Sequence, residues 1–549
     1  MSTSPTPIPG PPGVPLLGNI FDIDQNNTWW SLKTLAEKYG EIFQINALGH
    51  KIVFVASAAL AEEICDEKRF RKYVGGPVKE IRYLTHDGLF TAYDHEANWG
   101  IAHRIVAPQL APNLIANHFD ELTLCTDELI ASWKVLGTNN TITPLTDLNR
   151  LNLEATTLTL FGKKLNCFDG SSDNILQAME DSTSEAMRRP SRPKLLTLLL
   201  HNSKWKKAAK TQRTWAQSLI DHRAANPTPA RHDLLHALLN SPDPETGTTL
   251  TPSMVIDEIV TMPIGSSTAP CALTSLIYFL LQNPSVVTRA REELASVCGD
   301  APLSQEHLKS LPYITGIVRE TLRLSHAAPG FNIEPIPKEG DTSPVLLAGG
   351  KYQIPHNQAM IIVLAGVNRD PAVFEEPLAF RPERMMGEAF EGLPRGVKKW
   401  FGNGKRECVG KHWAWEFLVV VTAKLVGEVD FEAVEGGYVM KQDGWFNVRP
   451  VGFKVKLTSI VTLFTVAFGT ASAITISLPS GVSIPSGVSL PSGVTVVSAA
   501  ATTTATAAAG NAANAKRQIN FGSLSLRQAF GGQQTRSSSA AAATAARKA

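Results

Sequence analysis

The sequence predicts a mainly α fold carrying a small β subdomain. Three observations point that way: residues 110–240 are mostly helical by periodicity, Glu41–Val55 alternates as a hairpin does, and 43% of the 549 residues are hydrophobic. That content supplies a large core; length alone would suggest three or four domains, a soft prior.

The elements follow in order. Pro9-Gly10-Pro11-Pro12-Gly13-Val14-Pro15 is a stiff lead-in that forms neither helix nor ladder. Trp29–Tyr39 reads as an amphipathic helix ended by Gly40, and Glu41–Val55 as a hairpin about Leu48-Gly49-His50. Ser57 is an N-cap for a helix over Ala58–Cys65. Trp99 and His103, four apart, share a helix face and both donate hydrogen bonds. Residues 110–240 are mostly helical, with Pro190–Pro193, bracketed by basic residues, marking a mobile lid. Met254–Leu281 is a long apolar run in which Pro263 and Pro270 flank Gly265, predicting a kink whose freed carbonyls hold water or a ligand. Gly316–Leu324 places Glu320 and Arg323 on one helix face, and Val409–Leu425 is an apolar helix. Beyond Leu457 stand an apolar, hydroxyl-rich run, three copies of Ser-(Leu/Ile)-Pro-Ser-Gly-Val and an Ala/Thr/Ser tail, predicted disordered.

The formal net charge of +2 conceals an asymmetry: Ser459 onward carries six basic residues and no acidic one, leaving the body at −4 by difference. Neither part has the basic character of a nucleic-acid binder. Six scattered cysteines without paired spacing fit a reducing compartment, and the proline-rich Met1–Gly18 is neither a signal peptide nor a membrane anchor. The expectation is a cytoplasmic monomer, with the endoplasmic reticulum surface as the alternative location.

The most informative stretch is Phe401-Gly402-Asn403-Gly404-Lys405-Arg406-Glu407-Cys408-Val409-Gly410. A thiolate between a glycine-bearing basic loop and a helix N-terminus is stabilised by free N–H groups and the helix dipole, and ligates soft or redox-active metals well. The pattern Phe-x-x-Gly-x-Arg-x-Cys-x-Gly resembles the haem-ligand loop of the cytochrome P-450 family, which implies the cytochrome P-450 fold and haem b as cofactor. The resemblance makes Cys408 the axial iron ligand, packs Phe401 near the sulfur, and pairs Arg406 with a haem propionate. Glu407 departs from the small residue usual beside the ligand, and its charge is expected to lower the reduction potential.

Carried onto the remaining segments, the resemblance makes Trp99 and His103 propionate donors and Phe90 a ring of the substrate pocket. Glu320, Arg323 and Arg384, the last within Phe380-Arg381-Pro382-Glu383-Arg384, match a buried structural triad. Ala328 and Phe331 become substrate contacts, with His326 standing where a proline is common. Together with Asp233-Leu234-Leu235 and Asp243–Gly247, these matches look closest to the haem domain of soluble self-sufficient fatty-acid hydroxylases of bacteria and fungi. They divide the chain into a haem domain, 1–457, and a tail, 458–549, in which no flavin- or nicotinamide-binding pattern stands, so electrons are expected from a separate NADPH-cytochrome P-450 reductase. Arg395, Lys398, Lys399, Lys405, Arg406 and Lys411 form either a solvated face or its docking surface.

Two departures bear on mechanism. In the oxygen-binding groove the chain keeps Gly265 and Thr268, but has Ser267 in place of the family's acid and Ile264 in place of a small residue. A hydroxyl relays protons without supplying them at neutral pH, so Thr268, Ser266, Ser267 and water are expected to form a slower relay. In the first hairpin the subgroup's carboxylate-binding Arg and Tyr are matched by His50 and Phe54, with Lys51 as substitute. The implied function is a monooxygenase hydroxylating or epoxidising a lipophilic molecule, fatty-acid-like or an intermediate of fungal secondary metabolism. The alternatives are a haem-thiolate isomerase or dehydratase acting on a peroxide or endoperoxide, and a haem sensor without turnover.

Overall fold

The protein is described by a computed structural model covering residues 5–460, apart from 25, 48, 229–230, 435–436 and 445, together with the strands Ile474–Leu478 and Val494–Ser498. Within the first unit, helices dominate and the strands gather into small sheets. A five-stranded sheet has the spatial order Ile42–Ala47, His50–Val55, Met360–Val363, Gly330–Pro335, Phe70–Lys72. Only the pairing of His50–Val55 with Met360–Val363 is parallel; Ile42 faces Val55 across the predicted hairpin. Leu48, at its turn, lies outside the described residues.

Local chemistry sets the element ends. Asn27 accepts from the Trp30 N–H to start the helix Thr28–Tyr39, which stops at Gly40 with φ 83°. Ser57 accepts from the Leu60 N–H to start Ala58–Ile64. The largest core cluster joins the helices Phe119–Leu136, Pro144–Phe161, Pro312–Ser325 and Lys411–Glu428 around the central apolar run.

That run is not one kinked helix but two, Pro252–Ser266 and Thr268–Gln282, meeting at Ser267. Pro270 has no N–H to give the Ser266 carbonyl. Around the break three hydroxyls bond back to carbonyls three residues earlier: Ser266 Oγ donates to Pro263 O (3.3 Å), Ser267 Oγ to Ile264 O (2.6 Å) and Thr268 Oγ1 to Gly265 O (3.3 Å). Pro252–Gln282 is the one stretch among the described residues long and apolar enough to cross a membrane, and more than half of its most apolar window is buried within the protein.

The predicted domain boundary falls inside a strand: Val455–Ile460 pairs with Val429–Ala433 and Thr141–Ile142, so ordered structure continues past Leu457. In the second unit, Ile474–Leu478 and Val494–Ser498 pair in parallel; the rest of the predicted disordered tail lies outside the described residues. Pro190–Pro193 begins in a tight turn, Arg189–Ser191, and Pro190 lines the main cavity.

Candidate functional site

The loop ahead of the helix Lys411–Glu428 is held from both sides. Gly402 and Gly404 take φ of 85° and 59°, and a Cβ at Gly404 would lie 2.0 Å from the Glu67 carboxylate, which accepts from the Lys405 N–H (2.8 Å). Asn403 Nδ2 donates to Cys65 O (2.7 Å), and the Cys408 N–H donates to Phe401 O (2.7 Å). Cys408 thus sits just ahead of the N-cap Gly410, open to a cavity of about 1240 Å³. Protein packed behind the sulfur raises its pKa by burial, while a backbone hydrogen bond at Gly410 pulls it down. Glu407 is in an ion pair with Lys411; its negative charge still raises the Cys408 pKa, and Lys411 offsets part of that.

A cluster of donors stands on the cavity wall. The Trp99 and His103 rings stack at 5.0 Å on the helix Ala97–Gln109, and the Arg406 guanidinium lies 4.9 Å over Trp99. Arg406 already binds Asp94 (3.2 Å) and Ala92 O (2.7 Å). Burial, then the positive charges of Arg406 and Arg104, hold His103 below the ordinary histidine value. Lys72, not singled out from sequence, points the same way: it donates to Phe90 O (2.5 Å), and burial followed by repulsion from Arg406 lowers its pKa to about 7. No carboxylate reaches Lys72 within salt-bridge distance among the described residues. Arg406 shares Asp94 with Lys405 while Lys72 has no carboxylate at salt-bridge distance among the described residues; the two propionates of haem b would fit that deficit. The signal for Lys72 was available: it lies two residues from the buried Phe70, on the same strand face.

The cavity wall also carries Ile264, Gly265, Ser266, Thr268, Ala328, Phe331 and Phe401. A Cβ added at Gly265 would meet nothing within 4 Å, so the groove over it is open. Phe90 meets Phe446 edge to face at 5.7 Å; Phe446, missed from sequence, comes from the hairpin Lys441–Val451, pinned by Val448 N–H to Ala327 O (3.0 Å).

Ser267 is not brought to this wall. Its hydroxyl accepts from Asn447 Nδ2 (2.7 Å) and lines a second cavity of about 340 Å³ behind the broken helix, whose polar residues include Asn152 and Arg449. Asn152 Nδ2 donates to Ser266 Oγ (2.9 Å), so two amides that sequence alone did not mark hold the two serines. His50 and Lys51 are exposed at the cavity rim, whereas Phe54 is buried and stacks on Phe43 at 5.0 Å.

Glu320, Arg323 and Arg384 do meet. Arg323 clamps the Glu320 carboxylate through two bonds of 2.7 and 2.8 Å, both side chains fully buried, and Arg384 Nε lies 3.6 Å away. The Arg381 N–H also donates to Glu320 (2.9 Å), while Arg323 donates to the carbonyls of Asn368, Pro377 and Ala379. One carboxylate therefore ties the helix Pro312–Ser325 to the segment leading into the cysteine loop.

The family profile described as Cytochrome P450 matches residues 8–457, the span that builds the cavity, the loop and the triad. The chain belongs to the cytochrome P450 family. That family is one of oxidoreductases whose cofactor is haem b. Among curated relatives, it is 35% identical over 472 residues to the bifunctional cytochrome P450/NADPH–P450 reductase of Aspergillus oryzae, covering 85% of this chain and 43% of that protein. It is 36% identical over 457 residues to the self-sufficient cytochrome P450 monooxygenase CYP505E5 of Aspergillus kawachii, covering 82% and 43%. With CYP505E3 of Phanerodontia chrysosporium the identity is 34% over 453 residues, covering 82% and 42%. The chain thus spans less than half the length of these relatives, whose names describe a P450 joined to a reductase or self-sufficient.

Proposed function

We propose that this P450 is a haem-thiolate monooxygenase that hydroxylates or epoxidises a medium-sized lipophilic molecule with dioxygen, using electrons from a separate NADPH-dependent reductase. The observation carrying the proposal is the cavity of about 1240 Å³ that reaches from exposed His50, Lys51 and Pro190 to Cys408, with Gly265 and Thr268 on its wall. When bound, haem supplies the reductive activation of dioxygen, tuned by a thiolate donor. The chain's own residues do the rest. Cys408 supplies the sulfur, with Phe401 packed against it. Lys72, Trp99, His103 and Arg406 hold the propionates. Thr268 Oγ1, bonded weakly to Gly265 O, is the hydroxyl free to turn and pass a proton into the groove. Ile264 and the Phe90–Phe446 pair narrow the pocket and fix the substrate's pose.

A long-chain carboxylate would find His50 and Lys51 at the rim but no hydroxyl at Phe54, which supports a substrate other than a plain fatty acid, such as a secondary-metabolite intermediate. Arg395 is exposed near the cysteine loop, whereas Lys398, Lys405 and Lys411 are engaged with Glu391 O, Asp94 and Glu407; an acidic electron donor would compete for these contacts. A cytoplasmic setting fits the reduced cysteines.

The position of Ser267 favours a second reading, rearrangement or dehydration of a peroxide, which needs neither external electrons nor an acid in the groove. Reconstitution with an NADPH-cytochrome P450 reductase separates the two. Substrate-dependent NADPH consumption with oxygenated product supports monooxygenation; rearrangement of an organic peroxide in the absence of reductant, without NADPH consumption, overturns it.

A further inference from the structure

The catalytic reading leaves His326 without a role. This histidine stands where the family commonly has a proline, and it caps the end of the helix Pro312–Ser325 in the left-handed region, at φ 37° and ψ 44°. A proline, fixed at φ of about −65°, cannot take that conformation, whereas histidine is among the residues that enter it more readily. At this turn the ring becomes part of the wall of the main cavity, and it is only 4% exposed.

The ring's surroundings fix where its proton sits. Burial, then the positive charge of Arg369, hold the imidazole well below the ordinary histidine value, with the Leu324 carbonyl opposing and Lys33 adding to the effect. The ring is therefore neutral near pH 7 and carries one proton. Nδ1 lies 3.0 Å from Leu324 O, an atom that only accepts, so the proton is on Nδ1. Nε2 is left as a bare lone pair that no donor among the described residues meets. Unlike the unpartnered side-chain atoms sealed inside the protein, Nε2 keeps contact with open space, and the open space that His326 borders is the main cavity.

Haem b has no hydrogen to offer this lone pair: its ring nitrogens bind iron, and its propionates are acceptors that would be repelled. A substrate carboxylate is disfavoured for the same reason. A hydroxyl on an otherwise apolar molecule matches it, and an analogue without the hydroxyl leaves a buried acceptor unpaired.

We propose, on the reading of this cavity as the substrate site, that His326 Nε2 accepts a hydrogen bond from a hydroxyl of the substrate. His326 is then a specificity-determining residue, and the substrate is a lipophilic alcohol rather than a hydrocarbon or a carboxylate.

Calorimetric titration of the haem-loaded full chain with lauryl alcohol and with its methyl ether tests this, because the ether keeps the chain and the oxygen but has no proton to donate. Wild type is expected to bind the alcohol about fivefold more tightly, the size of one neutral hydrogen bond. His326→Phe, which keeps a ring, and His326→Asn, which tolerates the left-handed backbone, are each expected to bind the two probes equally. Leu324 O keeps the hydrogen bond from Arg369 Nη2 (2.9 Å), so neither change strands that carbonyl. An unchanged unfolding midpoint and an unchanged carbon monoxide spectrum show that each variant is folded. Equal binding of the two probes by wild type, or a preference that persists in a folded variant, overturns the assignment and leaves the cavity as a lipophilic site. Binding of neither probe by wild type contradicts the reading of the cavity itself, and the assignment falls with it.

Discussion

Ser267 and Thr268 are neighbours with opposite surroundings. Thr268 faces the main cavity; Ser267 turns into the smaller cavity behind, fixed by Asn447 and its own back-bond to Ile264 O. Spacing alone made them partners in one relay, and the break at Ser267 separates them. Thr268→Ala is expected to lower oxygenated product per NADPH about tenfold, below the usual contribution of a positioned proton donor because water substitutes in part. Ser267→Ala should leave that ratio within a factor of about two. A product-to-NADPH assay of both variants checks the difference, and equal losses would contradict it. At this scale the sequence was legible where a motif fixes chemistry, as at Cys408 and Arg406. It was silent where a distant element supplies the partner: Asn152 and Asn447 reach the serines across more than a hundred positions.

Helices and their ends were readable because periodicity, Ser57 and Gly40 act locally; the prolines of the central run marked a disturbance, but its form, two helices meeting at Ser267, was not readable from them. Two elements carry testable energetics. Glu320 ties the helix Pro312–Ser325 to the segment before the cysteine loop, and Glu320→Ala strands the fully buried Arg323 guanidinium. That change is expected to cost about 3–5 kcal/mol and to yield protein without haem, measured by urea unfolding and haem content; a haem-replete variant of unchanged stability contradicts it. On the first half of the broken helix, burial pushes Glu258 up to about 8, opposed by the Leu89 N–H it accepts (2.9 Å) and reinforced by Asp257 and Asp87. Folded Glu258 holds its proton up to about 8 while the unfolded chain releases it near 4.5, so its contribution to stability is full below the lower value and declines as pH rises to the higher one. Glu258→Gln keeps an acceptor for Leu89 and should flatten that decline in unfolding midpoints measured from pH 5 to 8 (about the window the two values define).

Within the first unit, elements remote in sequence converge on the main cavity: the β subdomain and the 441–451 hairpin close its sides, the broken helix forms a wall, and the cysteine loop forms its end. This arrangement was legible as a fold class and a family resemblance, but the volume and the second cavity behind the helix arise from packing between segments remote in sequence. The central claim is that Cys408 binds the iron of haem b. Purified protein, reduced and exposed to carbon monoxide, should show the red-shifted Soret absorption of a thiolate-ligated haem, and Cys408→Ala should abolish it. Absence of that band in the haem-loaded wild type, or its persistence in the variant, would contradict the account.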